Sequence, residues 1–176
     1  MLTGLNEAFV IDEATRAELI RQDPKSAEVI KPFLAGRDIK RYETPKAEKY
    51  LIFTRRGVNI DDYTAVRMYL EQFKEQLMPK PKDFTGSNWK GRKEGQYAWY
   101  EIQDTVAYYE EFEKPKIIVP AIVKSASYAF DTSGTYSNDK TSIIATDDLL
   151  ILAVLNSKIS DMFLHSIAST KQGDIS

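Results

Sequence analysis

One stretch, residues 114–157, constrains the fold more than any other. Ile117, Ile118 and Val119, then Ile122 and Val123, then Tyr128 and Phe130, then Ile143 and Ile144 form short β-branched or aromatic runs. Pro, Ser, Gly and Asn separate them, so the pattern predicts consecutive strands joined by polar turns and sharing one core. Past Asp148 the apolar spacing changes from two to about 3.6 residues through Leu149, Leu150, Leu152, Ala153 and Leu155, which predicts a helix lying on the sheet. The segment 131–140 between the last two strands carries Thr132, Ser133, Tyr136, Asn138 and Lys140, all hydrogen-bonding side chains. It is a candidate contact turn.

Upstream, Ala8 to Ile11 reads as extended, and Asp12 as the cap of a helix through Ala14, Ala17, Leu19 and Ile20 that Asp23-Pro24 stops. A second helix is expected from Pro24 or Ser26, with Ala27, Ile30 and Leu34 inside, Pro32 as a kink and Gly36 just past its end. Tyr50 to Thr54 reads as a strand and Arg55-Arg56-Gly57 as a turn. Over 62–77, Val66, Tyr69, Leu70, Phe73 and Leu77 recur at helical spacing behind a cap at Asp61 or Asp62. Tyr97, Trp99 and Tyr100 alternate as in a strand, with Trp99 in the core. Two helical pieces should break near Asn156-Ser157, the second burying Ile159, Met162, Phe163 and Ile167. The fold class is therefore α+β, a single domain with a mainly antiparallel or mixed sheet and helices packed on it.

Function classes narrow on composition. With 176 residues and 43% hydrophobic content, the chain can bury one sizeable core. It has no cysteine and one histidine, His165, which removes disulfides, thiolate metal sites and thiol catalysis and leaves a histidine-rich zinc site or a triad without its parts. No run reaches about 18 apolar residues and no basic-apolar leader opens the chain, so the expectation is a soluble, cytoplasmic protein without membrane contact.

The net charge of −2 is unlike that of a typical nucleic-acid binder, but its distribution is uneven. Arg37, Lys40, Arg41, Lys46, Lys49, Arg55 and Arg56 outnumber the acids around them, as do Lys80, Lys82, Lys90, Arg92 and Lys93. Glu101, Asp104, Glu110, Glu111 and Glu113 have no base among them. A basic face opposite an acidic one follows. The loop after Pro79 and Pro81 sets Asn88 and Trp89 beside Lys90, Arg92 and Lys93 among three glycines. Such a loop can neutralise phosphate while a ring or amide meets a base, unless Trp89 folds back and the lysines are merely solvated.

Read in order, Trp99-Tyr100, Lys116-Ile117 leading to Pro120, Phe130-Asp131, Asn138 and Leu155-Asn156-Ser157-Lys158 resemble the TaqI-like C-terminal specificity domain. This is the target-recognition module of N6-adenine DNA methyltransferases and fused restriction-modification enzymes. The opening, Leu2-Thr3-Gly4-Leu5-Asn6-Glu7-Ala8-Phe9, then Ile30-Lys31-Pro32-Phe33-Leu34 and Gly36-Arg37-Asp38-Ile39, is similar to that family's entry segment. The resemblance covers nearly the whole chain and lacks only the closing segment the family usually carries, so residues 1–176 are expected to be one recognition domain from a larger enzyme. It implies double-stranded DNA as partner, a covalently attached methyltransferase, and no cofactor of the domain's own. S-adenosylmethionine, and Mg where a nuclease is present, belong to the parent enzyme.

The residues agree that catalysis lies elsewhere. No Pro-Pro dipeptide is present, so the Asn/Asp-Pro-Pro-aromatic loop of an N6-adenine methyltransferase is missing. Asp38-Ile39-Lys40 supplies only the last part of a PD-(D/E)xK nuclease signature. The expected DNA-binding set is Arg55, Arg56, Asn88, Trp89, Lys90, Arg92, Lys93, Lys124, Tyr136, Asn138 and Lys140. The alternative is a protein-interaction or scaffold domain that uses the acidic 101–113 stretch; a nuclease fragment is a weaker third reading.

Overall fold

The computed structural model describes residues 1–35, 39–41, 43–121 and 125–167. The chain opens with α1 (Asn6–Phe9), β1 (Val10–Ile11) and α2 (Glu13–Gln22). The Asp12 carboxylate accepts from Thr15 N at 2.8 Å and so caps α2, as expected, and α2 ends at Asp23. The expected extended entry is in part helical, because Ala8 and Phe9 enter the core from α1.

The second expected helix does not form. A single 3₁₀ turn, Pro24–Glu28, leads into strand β2 (Ile30–Leu34). Proline inside a helix removes a hydrogen bond and pushes the preceding residue toward extended geometry. Val29 and Ile30 favour the same outcome. Pro32 precedes the two positions, Phe33 and Leu34, that pair in parallel with Tyr136 and Ser137 on the other side of the strand, so its missing N–H breaks no bond there. Gly36 lies outside the described residues.

Strand β3 (Lys49–Ile52) pairs antiparallel with β1 and with β2, in the register Ile30 to Ile52. After a 3₁₀ turn at Ile60–Asp62, the expected long helix is divided into α3 (Thr64–Glu71) and α4 (Lys74–Leu77). The cap expected at Asp61 or Asp62 does not form: α3 starts after Tyr63 without a side-chain cap, and Asn59 caps only the 3₁₀ turn, accepting from Asp61 N at 3.4 Å. Between α3 and α4 the amides of Gln72 and Phe73 bond three residues back. That tighter turn re-aims the chain, so that Leu70 and Leu77 are both fully buried while Tyr69 and Phe73 pack at the core's edge.

After a long irregular stretch and a 3₁₀ turn at Tyr109–Glu113, β4 (Lys116–Pro120) pairs antiparallel with β5 (Ala129–Asp131) and with β7 (Thr141–Ala145). Between β5 and β7 the chain leaves this sheet. Strand β6 (Tyr136–Ser137) runs parallel to β2, giving a four-stranded sheet β1-β3-β2-β6 beside the three-stranded sheet β5-β4-β7. The strands of 114–157 therefore serve two sheets and not one common core. Phe9, Leu51, Ile52, Val66, Leu70, Ile102 and Tyr136 share the main core, while Ile117, Ala126 and Tyr128 form a second cluster. Each of the Phe, Leu, Ile and Val side chains among them contributes about 1.5–3 kcal/mol by leaving water. Ile122 and Val123, expected as a strand, lie outside the described residues.

Helices α5 (Leu149–Leu155) and α6 (Lys158–Ile167) close the described chain, broken at Asn156-Ser157 as expected, with a 56° bend. Asn156 explains the break. Its side chain donates to Tyr128 O at 2.9 Å and accepts from Tyr128 N at 3.1 Å, while Asp161 accepts from Ala126 N at 2.6 Å. Leu152, Leu155 and Leu164 face the second cluster. The inner face expected for α6 is the outer one: Ile159, Met162, Phe163 and Ile167 are each more than 60% exposed. The Asp161 clamp fixes the rotation of the helix, and that choice turns the broader apolar stripe outward.

Candidate nucleic-acid interface

Arg92, expected on phosphate, sits at the base of the long basic loop and is 4% exposed. Its guanidinium donates to five backbone carbonyls: Leu77 at 2.8 Å, Thr3 at 3.0 Å, Glu101 at 2.7 Å, Ala98 at 3.2 Å and Trp99 at 2.9 Å. Tyr97 covers its face, 4.5 Å from the ring centroid. A fork with every donor spent inside the chain has none left for DNA, so Arg92 is corrected to a scaffold residue. Burial lowers its pKa to about 10, which still leaves it a cation at neutral pH. The same bonds explain why 97–104 is a series of turns and not the expected strand: carbonyls that would face a neighbouring strand face Arg92 instead. Trp99 packs at the edge of the main core.

The loop closes on itself above Arg92. Lys80 N bonds Arg92 O at 3.0 Å and Arg92 N bonds Met78 O at 2.9 Å. Gly91 is required there, since a Cβ at that position would lie 2.2 Å from Met78 O. Trp89 donates to Met78 O at 3.2 Å and meets Phe84 edge-on at 5.1 Å, so it is half-buried on the loop's own base and not on the domain core. Asn88, Lys90 and Lys93 are exposed. Lys90 reaches Glu75 at 3.2 Å with both side chains at least 75% exposed, a pair of little energetic consequence. Lys82, exposed two residues past the bond that closes the loop, and Lys80 over the Phe84 ring belong with them.

Arg55 and Arg56 separate. Arg55 is exposed, its guanidinium 4.8 Å from the Tyr109 ring centroid. Arg56 donates to the carbonyls of Ile102 and, at 2.8 Å, Gln103, and lies 3.8 Å from Glu101. It ties the 55–57 turn to the loop base and has little left to offer a ligand.

The 131–140 segment is wired inward. Asp131, fully buried, accepts from Lys116 Nζ at 2.5 Å, from Ser133 N and Oγ at 2.9 and 2.5 Å, and from Thr135 N at 3.0 Å. Gly134 makes the turn with φ +70°. Tyr136, an expected contact, has no exposed surface. It stacks on Phe112 at 5.0 Å and donates to Glu113 at 3.1 Å, and burial raises its pKa. It is corrected to a core residue. The two ends of the segment face out, with Thr132 and Ser133 exposed at its start, Lys140 exposed at its end and Asn138 half-buried. Asn138 Oδ1 accepts from Lys140 N at 3.1 Å, and its amide NH₂ makes no hydrogen bond among the described residues. Lys124 lies outside the described residues, as does Asp38 of the nuclease-like triplet.

The N-terminal segment joins the two outward elements. Thr3 O is held by Arg92, Leu2 N bonds Asp104 at 3.3 Å, and Met1 and Thr141, the residue after the 138–140 turn, line one cleft. Arg55, the 80–93 loop and the 138–140 turn thus extend from one connected scaffold. Among the described residues no group of three or more His, Asp or Glu side chains could hold a metal ion.

The model of the TaqI-like C-terminal specificity domain matches residues 31–176. No curated protein matches the chain. Among solved structures, a chain of the Type IIL restriction-modification enzyme MmeI in complex with DNA superposes with a TM-score of 0.58 at 13% identity, over 96% of this chain and 21% of that one. This chain thus spans about a fifth of that protein's length, and at such identity the likeness is one of fold. With the family model running over most of the sequence, the chain belongs to the TaqI-like C-terminal specificity domains, a DNA-recognition-type domain related to the target-recognition domains of restriction-modification systems.

Proposed function

We propose that the domain reads a double-stranded DNA sequence on behalf of a methyltransferase in the same polypeptide, with S-adenosylmethionine bound by that other part. The observation that carries this reading is the pair of outward elements bordering the same N-terminal segment, Asn88, Lys90 and Lys93 on one and Asn138 and Lys140 on the other. Phosphate contacts from Lys82, Lys90, Lys93, Lys140 and Arg55 give affinity and register, and amides at the turns meet base edges. The scaffold alternative keeps only part of its acidic surface, with Glu110 and Glu113 exposed. Glu101 is buried against the amides of Gly57 and Ala98, Glu113 is held by Lys31 and Tyr136, and Glu111 by Lys114.

Fluorescence anisotropy with a labelled duplex at 50 and 200 mM salt tests the reading. Non-specific binding of about 10⁻⁴ to 10⁻⁶ M is expected, falling steeply with salt, and Lys93→Ala should lower the log–log slope by roughly one for every sequence. Absence of binding at 50 mM salt overturns it.

Asn138 is assigned by a pair of substitutions in the full-length enzyme. Asn138→Asp keeps an oxygen for Lys140 N but loses the NH₂ that would donate to adenine N7, whereas Asn138→Ala loses both. If Asn138 reads adenine, both cost about 1–3 kcal/mol on the cognate duplex relative to a single mismatch. If only Ala changes anything, and that through thermal stability, Asn138 is a turn residue.

A further inference from the structure

We infer that the outward face of α5 and α6 is a self-association surface, on which a second copy of this chain packs about a two-fold axis. The exposed side chains are Leu150 and Val154 on α5 and Ile159, Met162, Phe163 and Ile167 on α6, between 56% and 80% exposed. At a little under 200 Å² for a residue of this size, they leave roughly 750 Å² of apolar surface in water. That exceeds the ~300–600 Å² of the largest patch on an ordinary monomer. It matches the ~800 Å² that each partner contributes to a standard stable interface.

Charge favours a like copy as the occupant. Helix α5 has no charged residue, and on α6 Asp161 is turned inward on Ala126 N with His165 beside it, so two such faces meet without like-charge repulsion. The charges at the ends of α5 are opposite: Asp147 and Asp148 precede it and Lys158 follows it. An isologous antiparallel contact sets the Asp148 end of one copy against the Lys158 end of the other. A membrane fits less well. No single helix is long and apolar enough to span one, and this pair, which passes on length and composition together, is bent by 56° with Lys158 and Asp161 inside it.

Light scattering on the eluting full chain at 5 and 100 µM tests the inference. A dimer is expected at 100 µM, dissociating on dilution, and Ile159→Asp or Phe163→Asp should give a monomer with an unchanged far-UV spectrum. Asp148→Lys should weaken association about tenfold, and Asp148→Lys with Lys158→Asp should restore it. The chain has no cysteine, so Val154→Cys, beside the midpoint of the 148–158 span where the two-fold axis would pass, offers a second readout: a disulfide-linked dimer on oxidation, absent for a control Gln96→Cys. A monomer at 100 µM overturns the inference, as does a dimer indifferent to both Asp substitutions, open-ended aggregation, or sedimentation of a monomer with phosphatidylcholine vesicles.

Discussion

Asp131→Ala is expected to lower the unfolding free energy by about 3–5 kcal/mol, because it leaves the Lys116 ammonium buried without its counter-charge. Lys116 and Asp131 are both inaccessible to solvent, and Lys116 Nζ has only the carboxylate and the Phe112 carbonyl, each at 2.5 Å. The converse change is milder. Lys116→Met strands a carboxylate that still accepts from Ser133 and Thr135, so about 2 kcal/mol is expected. Urea titration of both variants gives the asymmetry; equal losses would contradict it. Burial alone would raise the Asp131 pKa, but the Lys116 and Ser133 hydrogen bonds and the Lys116 charge outweigh it and the net shift is downward. A carboxylate with a depressed folded pKa stabilises fully above its unfolded value near ~3.9. That contribution disappears as pH falls through the lower folded value, so wild type should lose stability below about pH 4 more steeply than Asp131→Ala.

Arg92→Ala should rank with it, at about 4 kcal/mol or more, since several of the five carbonyls would be left buried and unpaired at about 1–3 kcal/mol each before relaxation. Arg92→Lys rescues only part, because an ammonium has three donors and lacks the planar fork. The loss is local before it is global. Amides of 78–104 should exchange faster with solvent while those of Leu51 and Ile52 keep their protection, and DNA affinity should fall with the loop's order. A Lys93→Ala control should leave exchange unchanged. An Arg92→Ala protein with wild-type stability and a salt slope reduced by one would return Arg92 to the phosphate contacts.

Local chemistry was legible where short-range rules decide. Asp12 caps α2, Gly57 makes its turn at φ +83°, and the β-branched runs at Ile117 and Ile143 form strands. Where a distant partner decides, the sequence was silent. Nothing near Arg92 signals that Thr3 and Leu77 bring their carbonyls to it, so a basic residue in a basic loop read as a ligand contact. Tyr136 looked like a polar turn residue because its partners, Phe112 and Glu113, lie on another element. On α6 the apolar spacing was read correctly as helical, but its direction was set by Asp161 on the Ala126 amide, a contact 35 residues apart in sequence. Pro32 did carry a usable signal: weighed against the apolar spacing of Ile30 and Leu34, it favours the strand that forms.

The central claim, that DNA meets the 80–93 loop, Arg55 and the 138–140 turn, is tested most directly by amide chemical-shift mapping. The ¹⁵N-labelled chain would be titrated with a short duplex at low salt. The account predicts shifts at Arg55, Asn88, Lys90, Lys93, Asn138 and Lys140, diminishing together as salt is raised, with Glu101 and the amides of α2 unmoved. Shifts concentrated in 101–113, or none at any residue of the two outward elements, would contradict it.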